Sequence, residues 1–105
     1  MKIALCQINP TVGAINNNKK QIIDWYDRAV EADADIVVFP ELSVIGYPPQ
    51  DLLHRKGFIK KAQNALDEIA QQSTVPLILG STFSEGGLLY NCSFVCEAGS
   101  VIGHY

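Results

Sequence analysis

The sequence predicts an α/β domain built on a mixed sheet with flanking helices. Two short runs are wholly apolar, Ile3 to Cys6 and Ile36 to Phe39. Two longer stretches, 19–34 and 58–72, repeat apolar residues at helical spacing. After residue 84, two turn-bounded segments follow one another with no room for a helix between them. Strands joined through helices run parallel and strands joined by tight turns run antiparallel, so the order β-α-β-α-β-β-β places both kinds of pairing in one sheet.

Lys2 to Asn9 reads as the first strand. Ile3, Ala4, Leu5, Cys6 and Ile8 put apolar side chains on both of its faces, which predicts a buried, central position. Pro10 to Asn18 is loop, rich in Pro, Gly and Asn. From Lys19 to Ala34, the residues Ile22, Ile23, Tyr26, Ala29 and Val30 fall on one helical face, with Asn17 or Asn18 as the expected N-cap. Asp35 to Phe39 is the second strand, ended by Pro40, which has no N–H to give to a ladder. The loop Pro40 to Gln50 and a short turn, Asp51 to Arg55, lead to a second helix over Phe58 to Gln72. Phe58, Ile59, Ala62, Ala65, Leu66, Ile69 and Ala70 form its apolar face. Val75 to Ser81 is the third strand, Glu85-Gly86-Gly87 a turn, and Leu88 to Glu97 the fourth strand. Ala98-Gly99-Ser100 turns again, and Val101 to Tyr105 begins a fifth.

With 105 residues, 48% hydrophobic and 18% charged, the chain has the balance of one globular domain rather than of a disordered segment. Its net charge is −3 and its Lys and Arg are scattered or paired, so nucleic acid is not an implied partner. The apolar run at the N-terminus is too short for a signal peptide or a membrane span, which makes the cytoplasm the expected compartment and leaves a membrane out of the partners. Exposed sheet edges favour a homo-oligomer. Cys6, Cys92 and Cys96 lie in apolar, strand-like surroundings. Cys92 and Cys96 on one strand would sit roughly 13 Å apart, too far to bridge, so reduced, buried thiols are expected. His54 and His104 have no companions at ligand spacing, and no metal is assigned.

Ligands of open α/β sheets bind beyond the carboxyl ends of strands, where loops converge on a rigid support. Of the three such ends, the one at Pro40 to Pro49 stands out. Glu41 follows four apolar strand residues and one proline, so its carboxylate leaves the sheet on a short, stiff tether, as a general base requires. By position alone, a solvated loop carboxylate is the commoner outcome. Gly46, Pro48 and Pro49 make the same loop conformationally special, and Tyr47 can set an aromatic ring and a hydroxyl over a pocket, although the string also suits a simple turn into the next helix. Gln7 and Asn9, and Ser81 and Thr82, are expected to be structural hydrogen bonders rather than site residues.

The string Phe39-Pro40-Glu41-Leu42-Ser43 ahead of Gly46-Tyr47, the opening Ile3-Ala4-Leu5-Cys6-Gln7 with Asn9-Pro10 and Gly13, and the late Tyr90-Asn91 together resemble the nitrilase, or carbon-nitrogen hydrolase, superfamily across the whole chain. Gly46-Tyr47-Pro48-Pro49 followed by Asp51-Leu52-Leu53 resembles the glutaminase domain of glutamine-dependent NAD synthetases more than the free-standing amidases.

That resemblance implies an α-β-β-α sandwich, of which residues 1–105 would form the N-terminal part of a single domain that continues further. It also implies a Glu-Lys-Cys triad. The glutamate maps onto Glu41, as general base, while the lysine and the nucleophilic cysteine are expected beyond Tyr105. Neither Lys60, Lys61 nor any of the three cysteines matches them. Tyr47 is implied as a wall of the substrate pocket or ammonia path, against plain loop packing. The substrate would be glutamine or another small amide, with no cofactor in this domain and ATP and Mg²⁺ confined to a synthetase domain. Two alternatives accompany this reading: a stand-alone amidase or carbamoylase, and a non-catalytic fragment. Taken alone, the 105 residues are expected to be inactive.

Overall fold

The computed structural model describes residues 1–55 and 57–105. Its elements are β1 (Ile3–Leu5), α1 (Ile15–Glu31), β2 (Ile36–Val38), a 3₁₀ turn (Gln50–His54), α2 (Phe58–Gln71), β3 (Leu77–Glu85), β4 (Leu88–Glu97) and β5 (Ser100–His104). They build one five-stranded mixed sheet in the order β1-β2-β3-β4-β5. β1, β2 and β3 are parallel, while β4 and β5 are antiparallel additions. Fold class and element order are those predicted.

Both helices lie on one side of the sheet, packed on each other, with α2 against β3 and α1 against β2. The side-chain period of two explains the core. Register aligns Val37 with Leu77, Leu77 with Cys96 and Leu79 with Phe94, and all of these are buried beneath the helices. Ile22, Tyr26, Leu66 and Ile69 cover them from the helix side. Tyr26 also ties α1 to the start of β3: its hydroxyl donates to the Val75 carbonyl at 2.8 Å and accepts from the Thr74 N–H at 2.9 Å. The intervening strand residues, Ile36, Val38, Ile78 and Val95, point to the other side and are half-buried. No helix among the described residues is long and apolar enough to cross a membrane.

Several local expectations change. Within residues 1–105 the first strand is the outermost of the five rather than a central one, and Ile3 and Leu5 are 54% and 69% exposed. Apolar residues on both faces signal burial only where both faces are covered, and here helices cover one. The first helix begins at Ile15, four residues before the predicted start, so neither Asn17 nor Asn18 is its N-cap. Asn18 is instead fully buried within the helix. β3 runs on to Glu85, beyond the predicted end, because β4 pairs with it along its whole length, from Leu77 opposite Cys96 to Glu85 opposite Leu88. Gly86 and Gly87 close this hairpin with positive φ at both positions, the conformation a two-residue turn needs to match strand twist.

Candidate active site

β2 ends in a backbone bond from the Phe39 N–H to the Ile78 carbonyl, 2.8 Å, and Pro40 then stops the ladder. The chain turns back at once across the sheet. Leu42 adopts φ +49°, an uncommon left-handed conformation for a bulky residue, and the Gly46 N–H closes the turn on the Leu42 carbonyl at 2.8 Å. Such a conformation costs free energy and persists only where its surroundings impose it. They do so here: Phe39 and Leu42 to Gly46 are all buried. Glu41, in the middle of this packed run, is exposed. Its backbone is therefore held by its neighbours while its carboxylate reaches solvent.

Two further contacts seat the loop. The Val44 N–H donates to the Gly80 carbonyl at 3.3 Å, and the Ser43 hydroxyl donates to the same oxygen at 3.4 Å. A Cβ at position 80 would lie 2.4 Å from the Leu42 nitrogen, so the approach of loop to strand requires glycine. From the other side, the buried Asn18 amide donates to the Val44 carbonyl at 3.0 Å and to the Thr11 carbonyl at 2.8 Å, while its oxygen accepts from the Thr11 N–H at 2.8 Å. Asn18 thus joins the loop after β1 to the loop after β2.

The Glu41 carboxylate faces an open cavity of about 330 Å³. Phe39, Pro40, Gly80, Asn91, Ser93 and Tyr105 are among its lining residues. The Asn91 side-chain amide donates to Glu41 Oε1. Asn91 and Ser93 are exposed on the side of β4 away from the helices, whereas Cys92 alternates to the helix-covered side and is buried. Cys92 also borders the cavity, but its thiol belongs to the opposite face from the Glu41 bond.

Tyr47 is 68% exposed and is not among the residues lining this cavity. The structure thus brings Glu41 together with Asn91 rather than with Tyr47. Gln7 and Asn9 are exposed. Ser81 and Thr82 are buried, yet their hydroxyls find no hydrogen-bond partner among the described residues, contrary to the structural bonding expected of them. Their backbone groups are used by the ladder with β4, and the ladder does nothing for side-chain oxygens on either face.

The three cysteines are free thiols. Burial pushes the Cys96 thiol up to about 11, with the Asp67 carboxylate adding to the effect, and burial also raises Cys6. Both shifts oppose thiolate formation, the reverse of what a nucleophile needs. Among the described residues no three His, Cys, Asp or Glu side chains gather as a metal site would require.

Sequence signals existed for two of the residues missed. Glycine inside a strand marks close backbone approach, which is the role of Gly80. Asn18 satisfied the rule for a cap, and only the true start of the helix separates a capping from a buried asparagine. Asn91 entered the sequence reading only as part of the Tyr90-Asn91 string, and its relation to Glu41 depends on hairpin register.

The chain matches the carbon-nitrogen hydrolase family over residues 2–105. It is 37% identical to the glutamine-dependent NAD(+) synthetase of Acinetobacter baylyi over 105 residues, covering 99% of this chain and 19% of that protein. The glutamine-dependent NAD+ synthetase of Acinetobacter baumannii superposes with a TM-score of 0.92 at 36% identity, over 98% of this chain and 20% of that one. An amidase from Nesterenkonia sp. superposes with a TM-score of 0.85 at 26% identity, over 100% of this chain and 41% of that one. The chain therefore spans about a fifth of the length of the synthetases it matches.

Proposed function

The chain belongs to the carbon-nitrogen hydrolase family, and from that premise we propose that it is part of a glutamine-hydrolysing domain supplying ammonia for ATP-dependent NAD synthesis. The observation that carries this reading is the exposed Glu41 carboxylate, set on a buried loop at the end of β2 and facing an open cavity. Greater likeness to the synthetases, in identity and in superposition, favours this reading over a stand-alone amidase.

In the mechanism, Glu41 is the general base of a Glu-Lys-Cys set whose lysine and cysteine lie in sequence following Tyr105. Glu41 takes the thiol proton, and the thiolate attacks the carboxamide carbon of glutamine. The lysine stabilises the oxyanion that forms. Collapse breaks the C–N bond, Glu41 returns the proton to the departing nitrogen, and ammonia leaves. Glu41 then deprotonates water, which attacks the thioester and releases glutamate, and the proton returns to the thiol. Ammonia passes to a second domain that binds ATP and Mg²⁺. We also assign Tyr47 to substrate binding, although it is exposed on the same loop and is not among the residues lining the Glu41 cavity.

The test uses the full-length protein carrying Glu41→Gln. Turnover supported by glutamine falls by a factor on the order of 10² or more, while turnover supported by ammonium chloride is retained. Near-normal use of glutamine by this variant sinks the assignment.

A further inference from the structure

We propose that Asn91 is a positioning residue for Glu41, holding its carboxylate aimed into the cavity. The proposal rests on the general-base reading of Glu41. Its basis is the hydrogen bond from Asn91 Nδ2 to Glu41 Oε1, made between residues fifty positions apart in the chain.

Two elements divide the work of placing Glu41. Gly80, on β3, receives the loop backbone and sets where the Glu41 Cα lies. The side chain is exposed beyond that point, and an exposed glutamate samples several rotamers unless something holds its end. Asn91 is on the neighbouring strand β4, directly opposite Thr82 and so two register positions from Gly80, on the same face. It points to the same side of the sheet as the loop. Asn91 is itself exposed, so core packing does not account for its place there.

The chemistry of the bond has a direction. An amide N–H donated to a carboxylate favours the ionised form over the protonated one. The ionised form is the one that can accept a thiol proton. Oε1 is taken by Asn91, which leaves Oε2 to receive the proton. Cys92 and Tyr105 are the other titratable residues bordering the cavity. The Cys92 side chain alternates to the helix-covered face, and the polar side chain bonded to the Glu41 carboxylate is that of Asn91.

The experiment compares Asn91→Ala, Asn91→Asp and Glu41→Gln in the full-length protein, with glutamine or ammonium chloride as the nitrogen source, across pH. Asn91→Ala is expected to lower kcat for glutamine by about 10- to 100-fold, the value of one charge-assisted hydrogen bond, without lowering the ammonium-supported rate. Asn91→Asp sets a second carboxylate against Oε1 and raises the pKa of Glu41, so the acid limb of kcat/KM for glutamine moves to higher pH. Three outcomes overturn the proposal. Asn91→Ala could keep the wild-type kcat; both variants could lose activity by one factor at every pH, as a merely structural role would give; or Glu41→Gln could stay active, in which case the general-base reading falls as well. In the first two cases an inactive Glu41→Gln leaves that reading standing.

Discussion

Gly80 and Leu42 stand so close that a Cβ at position 80 would come within 2.4 Å of the Leu42 nitrogen. The same construction brings that Cβ within 2.9 Å of the Glu41 Cα. Neither neighbour is the movable tip of a side chain, so backbone must shift if the position is filled. The Glu41 loop therefore rests on the strand backbone itself.

Gly80→Ala is expected to displace Glu41 without touching its carboxylate. Overpacking of this kind costs about 1 to 3 kcal/mol. In the full-length protein, glutamine-supported kcat should fall well below the wild-type value while the ammonium-supported rate holds. An unchanged kcat would show that the loop can move off β3 without consequence.

Asn18 is a second support, and its chemistry is orientation-specific. Asn18→Ala leaves the Thr11 N–H and the Val44 carbonyl without their partners, at a cost of about 1 to 3 kcal/mol. Asn18→Asp keeps the acceptor for the Thr11 N–H but turns a carboxylate oxygen toward two carbonyls, in a fully buried position. It should destabilise more than alanine does. Urea midpoints of the two variants, measured side by side, check the order.

Tyr47, 68% exposed, contributes little to packing. Tyr47→Ala should leave the thermal midpoint essentially unchanged, with a stability change within about 0.5 kcal/mol. Its proposed role in substrate binding predicts a raised KM for glutamine at unchanged KM for ammonium. If glutamine kinetics match the wild type, Tyr47 is a loop residue only.

Cys96 is fully buried, and its thiol is raised from 9.0 to about 11 by desolvation, with the Asp67 charge adding to the shift. Its folded pKa thus exceeds its unfolded one. Between these values the folded chain keeps the proton that the unfolded chain gives up, so the stabilisation is complete below pH 9 and is lost as pH rises through 11. Wild-type protein should lose more stability between pH 8.5 and 10.5, two pH values bracketing roughly that onset, than Cys96→Ala does. At pH 8 the thiolate fraction is on the order of 10⁻³. Iodoacetamide should accordingly spare Cys96 until denaturant is added, as peptide mass mapping would record.

Glu41 was legible in the sequence because its placement is local. Four apolar residues make a strand, proline ends it, and the next side chain emerges at the carboxyl end of the sheet whatever the rest of the chain does. The helices were legible for the same reason, since periodicity reports a face to be buried without naming what buries it. Even the error over Asn18 was a local one, a shift of four residues in where the helix starts.

What the residues by themselves determined, then, is the class of fold, the order of its elements and the candidate base. These follow from interactions within a few residues of one another: strand patterning, helical spacing, and the stops set by proline and glycine. Tertiary structure alone decided that β1 pairs beside β2 as the outermost of these five strands, that Gly80 carries the Glu41 loop, and that Asn91 rather than Tyr47 meets the carboxylate. Each of these depends on pairing between distant segments. A slip of one residue in the β3–β4 register would turn Asn91 to the helix-covered face and remove its bond to Glu41, and nothing in the local sequence around either residue records that alignment.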